Sequence, residues 1–211
     1  MLSIIDYLGD QHGLPQYYYG TEKFEYVWEK MIDFTFGEDN KEDYFPRTSW
    51  ILPGEEKRNS ALEPDTIMVV GNNLFVLDAK YYRYGQTKEP KHLPQSSSIN
   101  KQITYGEYIA GMQDLEKRHG KGATVYNAFL MPYSMLKGKF AKPDAPAKYM
   151  HIGEAVSDWK VDGKNPYEHV QGILIDVRGL MYNYVRHNEP EIQKLADIIE
   201  EMTKKALPPA S

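Results

Sequence analysis

Between Phe24 and Gly37 the side chains Phe24, Val27, Trp28, Met31 and Thr35 recur every three or four residues, the pattern of a helix with one buried face. With Thr21 as N-cap and Gly37 as stop, a first helix is predicted over about 21 to 36. The run YFPRTSWIL (44 to 52) reads as an edge strand, because Pro46 has no N–H to give to a central ladder. Two β-rich runs follow, TIMVV (66 to 70) and LFVLDAKYY (74 to 82), and the Gly71-Asn72-Asn73 between them predicts a hairpin. After a loop rich in Gly, Pro and Ser, the period of INKQITYGEYIAGMQDLEKRHG predicts a second helix over 98 to 118. ATVYNAFLM (123 to 131) reads as a buried strand, YSMLKGKFAKPDAPAK as a loop and EHVQGILIDV (168 to 177) as a last strand. A closing helix opens at Asn188 or Glu189 and carries Ile192, Leu195, Ile199 and Met202 on one stripe. Strands interleaved with packing helices predict an α/β architecture with a mixed β-sheet flanked by helices, and 211 residues suit a single domain spanning 1 to 211.

Composition narrows the classes. A hydrophobic fraction of 41% with no apolar run near the roughly 20 residues that span a bilayer argues against a membrane protein. The N-terminal MLSIIDYLGDQHG has no basic start, so neither a signal nor a transit peptide is expected. The chain has no cysteine, which excludes disulfides, thiolate metal sites and a Cys nucleophile and fits a cytoplasmic location. The net charge of -5 speaks against a surface that coats nucleic acid, but the charge is uneven. Residues 1 to 65 carry 6 basic and 14 acidic side chains, whereas 80 to 101 carry 5 and 1, and 115 to 150 carry 7 and 2. Two basic stretches sit in an acidic chain.

The hairpin holds the candidate chemistry. Pro64-Asp65 stands at the start of its first strand and Asp78-Ala79-Lys80 at the end of its second. Alternation puts Asp78 and Lys80 on one face, and the hairpin brings Asp65 beside them. Two carboxylates that close repel unless a cation lies between them, and Mg²⁺ is the natural hard occupant. The Lys80 ammonium suits holding a water or neutralising charge on a phosphate. Spacing alone does not single out this set: Pro143-Asp144 followed by Asp158-Trp159-Lys160 repeats the letters at nearly the same gap, without a hairpin to join them. On the first helix Glu22, Glu25 and Glu29 form an acidic stripe, and Glu25, beside Phe24 at the border of the buried face, is the expected third carboxylate. On the second helix Gln102 is placed to hydrogen-bond the lysine, a water or a phosphate, or else to be buried on backbone partners. The six histidines lack ligand spacing, and no HExxH, GxSxG or GxxxxGK[ST] occurs.

PD at 64 to 65 and DAK at 78 to 80, after an acidic helix and before the helix bearing Gln102 and Tyr105, resemble the PD-(D/E)XK nuclease superfamily. More closely, YYGTEKFEYVWEKMIDFTFG, LEPDTIMV, VLDAKYY, INKQITY, NAFLMP and HVQGILIDVRGLMYNY, in this order, are similar to LlaJI-type restriction endonucleases over about residues 17 to 186. That resemblance implies a restriction-endonuclease-like core and Mg²⁺-dependent hydrolysis of DNA phosphodiesters, with Mn²⁺ as a substitute. It makes Asp65 and Asp78 the metal ligands and Lys80 the third member, with Glu25 and Gln102 as further catalytic candidates. The substrate would be double-stranded DNA, gripped along its backbone by Lys88, Lys91 and Lys101, and cutting both strands would call for a homodimer or a partner subunit. Two alternatives stay open: a nuclease subunit of an NTPase-driven, modification-dependent complex, and a non-catalytic DNA-binding or assembly subunit. Ser98-Ile99-Asn100 stands where an acidic residue is expected before the Lys101-Gln102 pair. Enzymes of this type are also commonly longer, so the chain would be the catalytic part of a longer enzyme or one subunit.

Overall fold

The computed structural model describes residues 23–141, 147–160 and 163–208. Helix α1 (Phe24–Phe36) follows the expected period and buries Trp28, Met31, Ile32, Thr35 and Phe36. Thr21 and Glu22 lie outside the described residues. Gly37 ends α1 with its N–H on Asp33 O in an extended conformation, so the stop does not use the left-handed cap that glycine often supplies.

The predicted edge strand at 44 to 52 is corrected. A short 3-10 turn (Lys41–Tyr44) precedes β1 (Ser49–Leu52), which pairs with β2 (Glu55–Arg58) in a separate two-stranded hairpin. The overlooked signal was Pro53-Gly54: Gly54 sits at φ +86, a turn conformation that costs glycine little. The second predicted hairpin forms as β3 (Thr66–Val70) and β4 (Asn73–Ala79), with Val70 opposite Asn73 across the turn. β4 stops at Ala79 rather than running to 82.

Helix α2 (Tyr84–Thr87) interrupts the following loop. The single helix expected over 98 to 118 is two, α3 (Ser96–Ala110) and α4 (Leu115–His119), broken at Gly111 where the apolar stripe of α3 ends. β5 (Val125–Tyr133) is buried at all nine positions, as its largely apolar run demands, with Asn127 the polar residue within it. β6 (Tyr149–Ala155) had no expectation, because its alternation is interrupted by a bulge at Gly153, whose φ is +122. β7 (Val170–Asp176) leads into α5 (Val177–Tyr182), whose N–H at Gly179 is capped by Asp176, and α6 (Glu189–Ala206) closes the chain.

The main sheet has the order β3-β4-β5-β7-β6: three parallel central strands with an antiparallel strand at each edge. α1 and α6 cover one face, where Trp28, Ile32, Leu195 and Ile199 pack on Phe75, Leu77 and Leu130. α3 covers the other with Ile103, Tyr105 and Ile109. This is the mixed sheet flanked by helices, consistent with a restriction-endonuclease-like core. Two ties lock the layers beside the hairpin. Trp28, fully buried, donates its indole N–H to Leu130 O at 3.0 Å, so Trp28→Ala would cost about 3–5 kcal/mol. On the other face Gly106 lets α3 approach so closely that an added Cβ would lie 2.6 Å from Asn127.

Candidate active site

The β3–β4 register sets Thr66 opposite Leu77, which brings Asp65 alongside Asp78. Asp78 is held in a central position, between β3 and β5, and is 5% exposed. Beyond the last residue of β4, Lys80 continues the parallel ladder by giving its backbone N–H to Leu130 O at 2.9 Å, the carbonyl that also receives Trp28. The Lys80 Nζ lies 2.8 Å from Asp78 Oδ2. Asp65 Oδ2 accepts the backbone N–H of Ala79 at 3.0 Å, which seats its carboxyl beside Asp78. The three predicted side chains therefore meet at the ends of β3 and β4.

The electrostatics follow from burial. Desolvation, reinforced by the Asp78 charge, pushes Asp65 up to about 7; Lys80 and the Ala79 N–H oppose this without cancelling it. For Lys80, burial favours the neutral amine, but attraction to Asp78 and then Asp65 outweighs it and raises its pKa. The lysine is thus a fixed cation at neutral pH, and Asp65 holds its proton more tightly than an isolated carboxylate does. A hard divalent ion fits such a pair, because both donors are oxygens and the ion would take the proton's place between two repelling charges. Among the described residues no three His, Cys, Asp or Glu side chains group to hold an ion. Asp65 and Asp78 would be the donors for such an ion, with its other positions left to water or substrate oxygens.

The remaining candidates are placed less centrally. Glu25 is exposed, on the side of α1 where Phe24 packs on Tyr81 at 5.0 Å between ring centroids. Glu29, one turn further, is half-buried, and its pKa is raised by burial and then by Asp65, with Lys80 opposing. Of the two, Glu29 is the carboxylate that feels the charges of the hairpin site. Gln102 is 1% exposed, and its amide nitrogen donates to Val76 O at 2.6 Å and Asn127 Oδ1 at 3.4 Å. It docks α3 onto the middle of the sheet, two residues behind Asp78. Lys88, Lys91 and Lys101 are all exposed. Lys91 pairs with Glu89 at 2.7 Å, Lys101 lies over the Tyr105 ring and Lys88 over the Phe140 ring.

That last contact joins the two basic stretches. The segment after β4 and the segment after β5 fold against each other: Tyr84 packs on Phe140, and Lys139 gives its N–H to Gln86 O. An added Cβ at Gly85 would sit 2.1 Å from Pro132 O, so α2 lies directly on the end of β5. Arg83, Lys88, Lys137 and Lys139 thereby gather beyond the same strand ends that carry Asp78 and Lys80.

Periodicity missed several residues that shape this site. Asp33 on α1 and Lys41 in the 3-10 turn reach the first strand of the hairpin, where Lys41 Nζ meets Asp65 O at 2.6 Å. The available signal was Asp33 standing four residues after Glu29, on the same acidic stripe. The described histidines have ordinary partners, such as Tyr44 for His119, Gln171 for His151 and Glu154 for His169.

No curated protein sequence matches the chain. The sequence model of the LlaJI restriction endonuclease family matches residues 12–155, a stretch that contains the whole β3–β4 hairpin, α3 and both basic segments. With more than half of its length matched, the chain belongs to the LlaJI restriction endonuclease family.

Proposed function

We propose that this restriction-system nuclease is a divalent-metal-dependent endonuclease of the PD-(D/E)XK kind, cutting double-stranded DNA with Asp65, Asp78 and Lys80. The observation that carries the reading is the meeting of these three side chains at the strand ends, where Asp65 is hydrogen-bonded to the amide of Ala79 beside Asp78 and an ammonium is fixed 2.8 Å from Asp78. Asp65 and Asp78 would hold Mg²⁺, or Mn²⁺ in its place, which when bound supplies Lewis-acid stabilisation of charge on a phosphate and a more acidic water. Lys80, kept cationic by its neighbours, cannot serve as the base; it orients the attacking water and offsets negative charge building on the phosphoryl oxygens. Asp78 has a second part, aiming that ammonium. Glu29 or Glu25 on α1 would add a carboxylate at the rim, and Gln102 would keep α3 seated behind Asp78.

The cations gathered after β4 and β5, together with Lys91 and Lys101, would hold the phosphate backbone without reading bases. The described residues of a chain hold one such site and a duplex has two strands of opposite direction, so double-strand cutting would use a second copy or a partner subunit. Among the described residues no helix is long and apolar enough to cross a membrane.

Supercoiled plasmid incubated with the chain and Mg²⁺ tests the reading directly. Nicked or linear product that vanishes with a chelator and with Asp78→Ala is expected. Cleavage that survives either treatment would overturn the assignment, and DNA binding without any cleavage would favour the non-catalytic subunit instead.

A further inference from the structure

We propose that Lys41, anchored by Asp33, is a positioning residue that fixes the main chain of Asp65 and so sets the spacing of the Asp65–Asp78 pair, an inference that rests on the nuclease reading above. The Lys41 ammonium donates to Asp33 Oδ1 at 2.8 Å and to Asp65 O at 2.6 Å. The same Asp33 oxygen accepts from the Thr66 hydroxyl at 3.1 Å, and Glu38 gives its N–H to Ile67 O at 2.8 Å. The C-terminal half of α1 and the turn after it are therefore stitched to residues 65, 66 and 67, one after another. Thr66 is fully buried, and the Lys41 and Asp33 side chains are only 21% and 25% exposed.

An edge strand is where such a fastening matters. Among the described residues β3 has a strand neighbour on one side only, and Asp65 precedes its first residue, so no described strand outside it limits movement. Its carboxylate lies beside Asp78, whose charge opposes its ionisation, and neighbouring carboxylates push apart. The simplest relief would be for the start of β3 to swing outward. Pro64 stiffens the approach from one side because its φ is locked. Lys41 opposes the swing from the other, since a charge-assisted bond to the Asp65 carbonyl holds the backbone and leaves only the side-chain torsions free. Asp33 in turn keeps the ammonium from following solvent. The hydrogen bonds of Lys41 go to Asp33 Oδ1 and to the main-chain oxygen of Asp65 rather than to either carboxylate of the pair, so it acts on the pair through the main chain of Asp65.

The readout closest to this geometry is the amide of Ala79, whose hydrogen bond to Asp65 Oδ2 persists only while Asp65 is held. In Lys41→Met, which keeps the stem and removes the donor, exchange of the Ala79 amide should quicken by about tenfold or more, the factor expected for one charged hydrogen bond. Amides in β5 should exchange as in the unmodified chain. The Mn²⁺ concentration giving a half-maximal rise in melting temperature should increase by a similar factor, and Lys41→Arg should recover part of it. Asp33→Asn, which keeps an acceptor oxygen, should fall between. If Lys41→Met lowers the melting temperature while Ala79 exchange and the Mn²⁺ midpoint stay unchanged, Lys41 is only a fastener between α1 and β3 and the inference is overturned. Should Lys41→Met fail to fold, Asp33→Asn and Thr66→Val carry the same two measurements. An unmodified chain that neither cleaves DNA nor responds to Mn²⁺ would overturn the nuclease reading itself, and the Ala79 amide would still decide whether Lys41 holds Asp65.

Discussion

Two regions of the chain spell almost the same letters and come to opposite ends. Pro64-Asp65 with Asp78-Ala79-Lys80 folds as a hairpin inside the main sheet; of the second set, Pro143 and Asp144 lie outside the described residues, and Asp158, Trp159 and Lys160 belong to no strand. Asp158 is exposed in a turn after β6, and the ammonium of Lys160 leaves it altogether, pairing with Glu107 of α3 at 2.8 Å while lying over the Trp159 ring. Asp78, by contrast, has a strand on each side, and Lys80 is drawn onto it by a ladder bond to Leu130 O. The difference is dielectric as much as geometric. Burial makes the repulsion between Asp65 and Asp78 and the attraction of Lys80 strong, while water and salt screen the charge of Asp158.

The contrast should break most visibly in cleavage. Asp78→Ala or Lys80→Ala should lower the rate of Mg²⁺-dependent plasmid cutting by at least about 100-fold, the scale of losing one preorganised charge at a reacting phosphate. Asp158→Ala and Lys160→Ala should leave it within about twofold, and Lys160→Ala should cost about 1 kcal/mol of stability or less because the Glu107 end of its ion pair is half exposed to screening water. Equal losses in both regions would dissolve the distinction.

Metal binding sharpens it next. At an Mn²⁺ concentration about 100 times its dissociation constant, mass action adds about 2.7 kcal/mol, or about 5–10 °C in melting temperature for a chain of this size. That rise should vanish in the Asp65→Ala, Asp78→Ala double variant and persist in Asp158→Ala, as read by thermal scans with and without the ion.

A smaller effect separates the regions by pH in metal-free protein. Asp65 in the folded chain titrates near 7, above the ordinary carboxylate value of about 3.9 expected when unfolded. The folded state thus holds this proton more tightly, a stabilisation that is fully present below pH about 4 and is lost as pH rises through about 7. Melting temperature of the unmodified chain, measured in chelator and compared with Asp65→Asn, should fall across that window. Asp158→Asn should track the unmodified chain at every pH. The same proton competes with the ion, so the Mn²⁺ midpoint should improve as pH rises toward 7 and then level off.

The smallest difference concerns the lysines. Lys88→Ala should weaken duplex binding by a few-fold at low salt and lower the salt slope by about one, whatever the DNA sequence. Lys160→Ala should change neither, because that ammonium is committed to Glu107. Binding isotherms at several salt concentrations check both.

Much of this was legible in the chain before any coordinates. The periods of α1 and α6, the largely apolar run of β5 and the Gly71 turn between β3 and β4 are local signals, and each of these elements formed. The register of one hairpin was enough to bring Asp65, Asp78 and Lys80 together, because pairing across a short turn is determined by neighbours in sequence. Long-range packing decided the rest. Whether Glu25 or Glu29 faces the charges depends on how α1 is rotated by Trp28 reaching Leu130, a partner 102 residues away. Whether Gln102 meets a lysine or a backbone carbonyl depends on how close Gly106 lets α3 come to the sheet. That Lys41 reaches Asp65, that β1 leaves the main sheet for β2, and that two basic stretches some fifty residues apart converge at one end of the molecule are likewise matters of tertiary contact. Sequence by itself determined which residues could carry the chemistry, since that depends on residue type and local period; which of them feel one another's charge was settled by burial, a property of the folded chain alone.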